Sequence, residues 1–350
     1  MKVLTVVGAR PQFIKAAPVS HAIRKSHREI LVHTGQHYDE ELSTVFFKQL
    51  AIPEPDFNLG VGSGPHGRQT GKMLIGLEKI MISEKPDWVL IYGDTNSTLA
   101  SALAAAKLGI PLAHIEAGLR SFNWTMPEEV NRVLSDRCSD ALFCPTETAI
   151  NNLAQEGIHD GVYLVGDVMY DALLYFLPRV DDERVLARFD LSPKDYVLAT
   201  IHRASNTDKS DKLLAVLDCL SQSPWPVLLP LHPRTRAALN NHGFDFPVNV
   251  HPIEPVGYLE MLALEKNAVA IMTDSGGVQK EAYILGTPCI TLRDETEWVE
   301  TTEMGWNRVV GLDSSAVAAA LISPPPDRPG KSLFGDGQAA TRIVEILVSI

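Results

Sequence analysis

The sequence predicts an α/β protein built from two parallel-sheet domains, and three observations lead to that prediction. At 350 residues the chain exceeds the size at which one hydrophobic core keeps growing. Short apolar runs alternate with longer segments of helical periodicity. This alternation occurs twice along the chain, so each half is expected to form its own sheet with helical crossovers.

The candidate strands are mostly continuous runs of valine, isoleucine and leucine, which is typical of parallel strands buried on both faces. The runs of the first half lie at residues 3–7, 29–33, 88–92, 112–115, 141–144 and 162–165. The series restarts at residues 196–200, 227–230, 268–273 and 289–292. Between the strands we expect helices, for example at residues 95–108, 127–138, 209–221 and 278–286.

The break between the two halves is expected within residues 171–194, which carry an acidic run and the turn signal Ser192-Pro193. We therefore expect a first Rossmann-like domain at residues 1–171 and a second at residues 172–335. Residues 336–350 are expected to form a helix that packs back on the first domain. Ligands of doubly wound sheets bind beyond the carboxyl ends of the strands, so two such domains facing across a cleft can share one ligand.

The composition argues against several classes of protein. The formal net charge of −12 is unfavourable for nucleic acid as a partner, because duplex binding needs a basic face. No apolar run approaches the roughly 20 residues that cross a bilayer, and the N-terminal residues are expected to form a strand rather than a signal peptide. The four cysteines are scattered without metal-ligand spacing, so we expect buried thiols, no metal and a cytoplasmic protein.

A basic segment follows the first strand and begins a helix. Gly8 permits a tight turn there, Pro11 can begin the helix, and Arg10 and Lys15 flank its N-terminus. The helix dipole and the free N–H groups of such a turn favour an anion such as a diphosphate. The alternative is an ordinary βα loop with two solvated cations. The segment lacks the G-x-G-x-x-G pattern, so no dinucleotide cofactor is expected.

Carboxylates follow two further strands of the first half. Asp94 and Glu116 come at the ends of the third and fourth candidate strands, where the ligand crevice of a parallel sheet should lie. Asp94 could instead cap the helix that begins near Thr95, whereas glutamate is a poor capping residue. A third pair, Glu128-Glu129, begins a helix. For Glu129 we expect only a favourable interaction with the helix dipole.

The second half has its own candidates at strand ends. His202 follows the strand that restarts the series, where it can donate to a phosphate or exchange a proton near neutral pH. The turn Ser275-Gly276-Gly277 closes a later strand and offers backbone N–H groups and a hydroxyl to a diphosphate. Glu281 lies one turn into the following helix and could accept both hydroxyls of a ribose. The alternative for Glu281 is an ordinary carboxylate on the helix surface.

With these residues assembled, the chain resembles the non-hydrolysing UDP-N-acetylglucosamine 2-epimerases, a family with the two-domain architecture called GT-B. The resemblance spans nearly the whole chain, and its ordered matches are too many for chance. The matching motifs include Gly8-Ala9-Arg10-Pro11, Gly93-Asp94-Thr95, Glu116-Ala117-Gly118-Leu119-Arg120, Pro127-Glu128-Glu129-Val130-Asn131-Arg132, His202-Arg203 and Asp274-Ser275-Gly276-Gly277.

The resemblance implies an isomerase and a mechanism. The family expels UDP from C1 and removes the C2 proton, which gives a 2-acetamido-glycal. UDP then adds back while a proton reaches the opposite face of C2. The resemblance implies acid/base roles for Asp94, Glu116 and Glu128, and it leaves open which of them serves which face.

The resemblance also implies residues that hold the departing UDP. His202 matches a family residue at the leaving diphosphate, which Arg10 and Lys15 would assist by stabilising the developing charge. The turn that holds UDP in the family is matched by Ser275, Gly276, Gly277 and Glu281. The family requires neither a metal nor a nicotinamide cofactor, and its members are usually homodimers.

One departure from the family pattern leaves the substrate open. Family members that act on UDP-N-acetylglucosamine (UDP-GlcNAc) usually carry Thr-Glu-Arg-Pro-Glu where this chain has Thr296-Glu297-Trp298-Val299-Glu300, so an expected cation is missing. The variant is more similar to a sister branch that epimerises UDP-2,3-diacetamido-2,3-dideoxy-glucuronate for bacterial surface polysaccharides. The sequence therefore predicts 2-epimerisation of a UDP-2-acetamido sugar, UDP-GlcNAc to UDP-N-acetylmannosamine (UDP-ManNAc), with the glucuronate as the alternative substrate. Two further functions fit the same architecture, a GT-B glycosyltransferase and a non-catalytic sensor of sugar nucleotides.

Overall fold

The computed structural model describes residues 1–36, 53–323 and 333–350, and the side chain of Arg10 lies outside the description. The chain divides into two compact units. The first unit consists of Met1–Phe176 together with Leu333–Ile350, and the second unit consists of Leu177–Ser332. Each unit is built on its own parallel sheet with helical connections, so the predicted α/β class with two parallel-sheet domains is confirmed.

The first unit alternates strands and helices. Its strands are β1 (Lys2–Val7), β2 (Arg28–His33), β3 (Phe57–Asn58), β4 (Trp88–Tyr92), β5 (Leu112–Ile115), β6 (Ala141–Cys144) and β7 (Val162–Leu164). The helices between and after them are α1 (Arg10–Arg24), α2 (His66–Glu84), α3 (Asn96–Leu108), α4 (Pro127–Cys138), α5 (Glu147–Gln155) and α6 (Val168–Phe176). The strand order is β3-β2-β1-β4-β5-β6-β7, with parallel pairing. The order reverses between β1 and β4, which is the kind of switch point where doubly wound sheets bind ligands.

The second unit repeats this plan. Its strands are β8 (Val197–Thr200), β9 (Val227–Pro230), β10 (Val250–Ile253), β11 (Ala270–Thr273), β12 (Cys289–Thr291) and β13 (Asn307–Val309). Its helices are α7 (Asp182–Arg188), α8 (Ala204–Thr207), α9 (Ser210–Ser221), α10 (Pro233–His242), α11 (Tyr258–Asn267), α12 (Gly276–Leu285), α13 (Val299–Glu303) and α14 (Ser314–Ile322). The strand order is β10-β9-β8-β11-β12-β13, again parallel, so its switch point lies between β8 and β11.

Continuous apolar strands make the two cores. Every residue of β5, β6 and β8 is buried, which explains why these strands show no alternation of apolar and polar residues. Burial of this apolar surface, at roughly 25 cal/mol per Å², is the main force that holds each sheet between its helices. Local signals set the helix ends: the Thr95 side chain caps α3, and Gly109 ends it with a left-handed φ of 65°.

The structure differs from the sequence prediction at sheet edges and in the helical character of residues 171–194, although the two units divide within that range. Strands β3, β10 and β13 are missing from the prediction, and all three lie at an edge of their sheet. Residues 171–194 are largely helical, because they include the end of α6, a 3₁₀ helix (Leu177–Arg179) and α7. The two units divide between Phe176 and Leu177.

The last helix returns the chain to the first unit. Helix α15 (Ala339–Ser349) packs against α1 and α6. The Asp171 carboxylate of α6 accepts hydrogen bonds from the N–H groups of Ala339 at 3.2 Å and Ala340 at 2.7 Å, and so caps α15 from outside. Over the residues that the structure describes, no helix has the length and apolar character needed to span a membrane.

Candidate functional site

One buried side chain ties the loop after β1 to the end of β4. The Gln12 carboxamide oxygen accepts hydrogen bonds from the N–H groups of Gly8 and Ala9, at 2.8 and 3.1 Å. The Gln12 amide nitrogen donates to the Tyr92 carbonyl at 2.8 Å. These two N–H groups therefore face Gln12 rather than an anion, and the anion site expected here depends on cationic side chains, of which Arg10 is not described.

Glu116 lies just beyond β5 and forms an ion pair with Lys15 of α1. Both side chains are largely buried. The backbone of Glu116 has a left-handed φ of 71°, a conformation that costs a non-glycine residue on the order of 1 kcal/mol and that recurs at functional sites. A Cβ built on Gly93 would lie 3.2 Å from Oε2 of Glu116 and 3.6 Å from Nζ of Lys15. Helix α1 and the loop after β4 therefore both approach the Glu116 carboxylate.

Asp94 follows β4 and pairs with a cation from helix α4. The Arg132 guanidinium contacts the Asp94 carboxylate, and the Asn131 amide donates to the Asp94 carbonyl at 2.9 Å. The Asp94 side chain is 34% exposed, which leaves it accessible to a ligand. Helix α3 is capped by the Thr95 hydroxyl, so the alternative role of Asp94 as its cap is wrong.

The adjacent residues Glu128 and Glu129 begin α4 but have different surroundings. Glu128 is exposed, and it lies four residues before Arg132, so the two side chains share one face of the helix. Glu129 is only 1% exposed. Its carboxylate accepts hydrogen bonds from the N–H groups of Ser121 and Phe122, both at 2.9 Å, and from Arg132. The expectation that Glu129 serves only the helix dipole is wrong, because it anchors the loop before α4.

In the second unit, the buried carboxylate of Asp274 organises the loop after β8. It accepts hydrogen bonds from the N–H groups of His202 at 3.1 Å and Arg203 at 3.0 Å, and from the Asn206 amide at 3.2 Å. Partial burial lowers the pKa of His202; Asp274 opposes this effect, and the charges of Arg203 and Arg234 reinforce it. A largely neutral imidazole at pH 7, able to take up a proton, follows from this environment.

The turn before α12 presents its backbone to a ligand. Ser275 is the N-cap residue of α12, and its hydroxyl does not cap the helix. A Cβ on Gly277 would meet a described atom within 4 Å only at the Ser275 hydroxyl, 3.9 Å away. A Cβ on Gly276 would lie 3.2 Å from Oε1 of Glu297 and 3.4 Å from Nε1 of Trp298, so these two side chains border the helix N-terminus. The two glycines let an anion approach the N–H groups and the positive end of the helix dipole.

Helix α12 buries two consecutive charged side chains. Glu281 is 5% exposed, so the alternative of an ordinary surface carboxylate is wrong. It interacts with Glu265 of α11, whose pKa is raised well above its usual range by burial and by the charge of Glu281. Lys280 is 1% exposed, and its ammonium lies 4.0 Å from the centroid of the Trp298 ring, a cation–π contact.

The candidates therefore form one cluster in each unit. In the first unit, Lys15 pairs with Glu116, and Asp94 follows the strand next to that of Glu116. Glu128 lies on the helix whose Arg132 reaches Asp94. In the second unit, the loop of His202 and the turn of Ser275 to Gly277 follow the two strands that flank the switch point. The role of Arg132 is not predicted from the sequence, although its four-residue spacing from Glu128 is the available signal. Within the described ranges, no group of three or more His, Cys, Asp or Glu residues could hold a metal ion.

Known proteins resemble the chain over its full length. The sequence model of the UDP-N-acetylglucosamine 2-epimerase family matches residues 21–348. The chain is 51% identical to the UDP-N-acetylglucosamine 2-epimerase homolog of Methanococcus maripaludis, with 99% of each chain covered. It is 49% identical to the UDP-2,3-diacetamido-2,3-dideoxy-D-glucuronate 2-epimerase of Pseudomonas aeruginosa, with 100% of each covered.

A solved structure extends the likeness to three dimensions. The UDP-GlcNAc 2-epimerase of Methanocaldococcus jannaschii, solved in complex with UDP-GlcNAc and UDP, matches with a TM-score of 0.93 and 45% identity over 100% of both chains. These full-length matches agree with the two parallel-sheet units and with the carboxylates at the strand ends, since all three indicate the same family. The chain belongs to the UDP-N-acetylglucosamine 2-epimerase family of isomerases.

Proposed function

We propose that this protein interconverts UDP-GlcNAc and UDP-ManNAc by eliminating UDP and adding it back. The observation that carries the proposal is that Asp94 and Glu116 follow neighbouring strands and that each forms an ion pair with a cation. Two carboxylates with compensated charge suit a reaction that must remove a proton from C2 and return one. The names of the most similar relatives support the same reaction.

The chemistry explains why such a site is needed. The C2 proton of a 2-acetamido sugar has no adjacent carbonyl to acidify it, so direct deprotonation is slow. Departure of UDP from C1 assists the loss of the C2 proton and gives a 2-acetamido-glycal. In that step one of Asp94, Glu116 and Glu128 accepts the C2 proton. As UDP adds back, another of these carboxylates delivers a proton to the opposite face of C2, while Lys15 and Arg132 stabilise the carboxylates in position.

The second unit is proposed to hold UDP. The N-terminus of α12 with Ser275, Gly276 and Gly277 receives the diphosphate, and Glu281 accepts the ribose hydroxyls. His202 donates to the β-phosphate as the C1–O bond breaks, which stabilises charge that develops only during the reaction. Arg10 is proposed to assist there, as is Lys15, which also pairs with Glu116. No metal or nicotinamide takes part in this scheme.

Incubation with UDP-GlcNAc in deuterium oxide tests the reaction type. We expect deuterium at C2 of both epimers in the absence of any sugar acceptor, because each turnover passes through an intermediate without a C2 proton. A glycosyltransferase or a sensor of sugar nucleotides would leave the C2 proton in place. Epimerisation without deuterium uptake, or no uptake with any UDP-2-acetamido sugar, contradicts the proposal.

Two observations favour a second substrate. Trp298 replaces the arginine that UDP-GlcNAc epimerases usually carry, and a relative that is 49% identical over 100% of each chain is named for UDP-2,3-diacetamido-2,3-dideoxy-D-glucuronate. Direct comparison of kcat/KM for the two substrates decides between them. A tenfold preference corresponds to about 1.4 kcal/mol of transition-state binding.

The setting of the enzyme is also part of the proposal. Both candidate products are precursors of surface polysaccharides, so we propose a cytoplasmic enzyme that supplies polysaccharide synthesis. As is usual in the family, we propose a homodimer without nucleic-acid or membrane partners. Light scattering of the purified protein tests the dimer, and a monomer mass at micromolar concentration contradicts it.

A further inference from the structure

A buried chain of charged side chains runs behind the candidate carboxylates of the first unit. His114 is the third residue of β5, two residues before Glu116, and Asp136 lies near the end of α4. His114 is 0% exposed and Asp136 is 1% exposed. Nδ1 of His114 lies 2.7 Å from the Asp136 carboxylate, and Nε2 lies 2.8 Å from the Gly93 carbonyl oxygen.

The same chain continues to the other side of Glu116. The second carboxylate oxygen of Asp136 accepts a hydrogen bond from the Gly118 N–H at 3.2 Å and another from the Arg120 guanidinium at 2.7 Å. Arg120 in turn donates two hydrogen bonds to Glu156, at 2.6 and 2.9 Å. The network therefore holds Gly93, the residue before Asp94, and Gly118, two residues after Glu116.

The acceptors around the His114 ring determine its hydrogen bonding. A peptide carbonyl can only accept, so Nε2 must donate to Gly93. On the other side of the ring, Nδ1 lies 2.7 Å from the Asp136 carboxylate, which is within the range of a charge-assisted hydrogen bond. The His114 ring therefore links the Asp136 carboxylate to the Gly93 carbonyl, and Arg120 links the same carboxylate to Glu156.

We infer that His114 and Asp136 are positioning residues for the epimerisation, and that their contacts fix the spacing between the Asp94 and Glu116 carboxylates. Neither residue needs to touch the sugar, because both act through backbone groups of the two loops. The inference rests on the proposed function, in which these two carboxylates move the protons of C2. Helix α4 adds a second support, since Arg132, one turn before Asp136, holds the Asp94 side chain.

Two substitutions of one residue separate positioning from general stability. In His114→Gln the amide can still donate to the Gly93 carbonyl, whereas in His114→Asn it can reach only Asp136. We expect His114→Asn to slow deuterium exchange at C2 by about 100-fold, the typical effect of a 1 Å displacement of a reacting group. His114→Gln is expected to lose only about tenfold. UDP affinity, which depends on the second unit, should change less than about twofold in both.

A matched control comes from another buried network of the same unit. The Glu29 carboxylate accepts hydrogen bonds from Thr5 at 2.7 Å, Ser20 at 2.5 Å and Arg24 at 2.6 Å, near the opposite end of the strands. Glu29→Gln should lower the melting temperature and leave the C2 exchange rate unchanged. The inference is overturned if His114→Asn lowers only the melting temperature and leaves C2 exchange unchanged, as expected of Glu29→Gln. It is also overturned if His114→Asn loses UDP affinity by the same factor as it loses C2 exchange. A wild-type protein that exchanges no deuterium overturns the proposed function itself.

Nitrogen-15 NMR of the wild-type imidazole rings tests the contacts even if one of the two His114 variants fails to fold. The His114 signals are assigned by their absence from the His114→Gln spectrum, or from the spectrum of His114→Asn. We expect Nε2 of His114 to carry a proton, because its partner, the Gly93 carbonyl, can only accept. A non-protonated Nε2 would overturn the inference, because its contact with the Gly93 carbonyl could then not be a donated hydrogen bond.

Discussion

The ammonium of Lys280 lies 4.0 Å from the centroid of the Trp298 ring, and both side chains are almost fully buried. The indole nitrogen of Trp298 also approaches Gly276 at the N-terminus of α12, where we propose that the diphosphate binds. Trp298 therefore has a role of its own, besides standing where related enzymes usually have an arginine. It packs against a buried cation of the chain itself, the ammonium of Lys280.

An arginine at position 298 should therefore be unfavourable in this chain. Trp298→Arg would bring two cations together in a buried place, and we expect a loss of about 3 kcal/mol in the free energy of unfolding. Lys280→Met added to Trp298→Arg should recover most of the loss. Trp298→Phe keeps an aromatic face over the ammonium and should cost about 1 kcal/mol. Urea unfolding of wild type and the three variants checks this. A Trp298→Arg protein with the same free energy of unfolding as wild type would refute the cation–π account.

Gly93→Ala should impair catalysis through Glu116. The new Cβ would lie 3.2 Å from Oε2 of Glu116, closer than most such contacts, so the carboxylate must move. We expect kcat to fall by about 10- to 100-fold while UDP affinity stays unchanged. Gly109→Ala is the control, because Gly109 has a similar φ of 65° but no described atom within 4 Å of its Cβ. Both variants carry a similar backbone strain of about 1 kcal/mol, so an equal loss of kcat in the two would contradict this explanation.

The adjacent glutamates of α4 should separate activity from stability. Glu128 is exposed, so Glu128→Gln should lower kcat by about 10²- to 10⁴-fold with no change in melting temperature. Glu129 anchors the loop at Ser121 and Phe122, so Glu129→Gln should cost about 1–3 kcal/mol of stability. Thermal melts and C2 exchange rates of the two variants check the assignment. Full activity in Glu128→Gln would remove this residue from the acid/base set.

The acid stability of the protein should depend on Asp136. Burial opposes ionisation of this carboxyl, but the hydrogen bond and charge of His114, followed by those of Arg120, outweigh it and lower its pKa below the usual 3.8. Because the folded-state pKa is the lower one, the carboxylate contributes stability above the unfolded-state pKa and loses it as the pH falls through the folded-state value. Between about pH 5 and about pH 3, wild type should lose more free energy of unfolding than Asp136→Asn. If the free energy of unfolding falls equally with pH in the two proteins, the lowered pKa of Asp136 is contradicted.

The sequence predicted central strands well and edge strands poorly. Strands β4, β5 and β6 have the predicted bounds, because strands buried on both faces must be apolar throughout. The missed strands lie at edges, where one side is unpaired and the composition is less constrained. Strand β3 has only two residues, and the middle residues of β10, His251 and Pro252, are exposed. Such segments carry too little periodicity for a prediction.

The sequence placed the candidate carboxylates at strand ends but could not pair them with their partners. Lys15 and Glu116 are 101 residues apart, and only the order of strands in the sheet brings them together. The pattern of the chain likewise suggests nothing about the burial of Lys280 or Glu129, since charged residues are rarely buried. The neighbours of both residues come from other segments, so their environment is a property of the tertiary structure.

Cleavage of the bond between C1 and the β-phosphate oxygen is the central event of the proposed reaction. It can be followed with a UDP-2-acetamido sugar that carries oxygen-18 in that bridging position. If UDP departs and returns, the freed β-phosphate rotates, and phosphorus NMR should show the label spreading to non-bridging oxygens as C2 epimerises. Epimerisation with the label retained in the bridge would contradict the account, because inversion at C2 would then proceed without elimination of UDP.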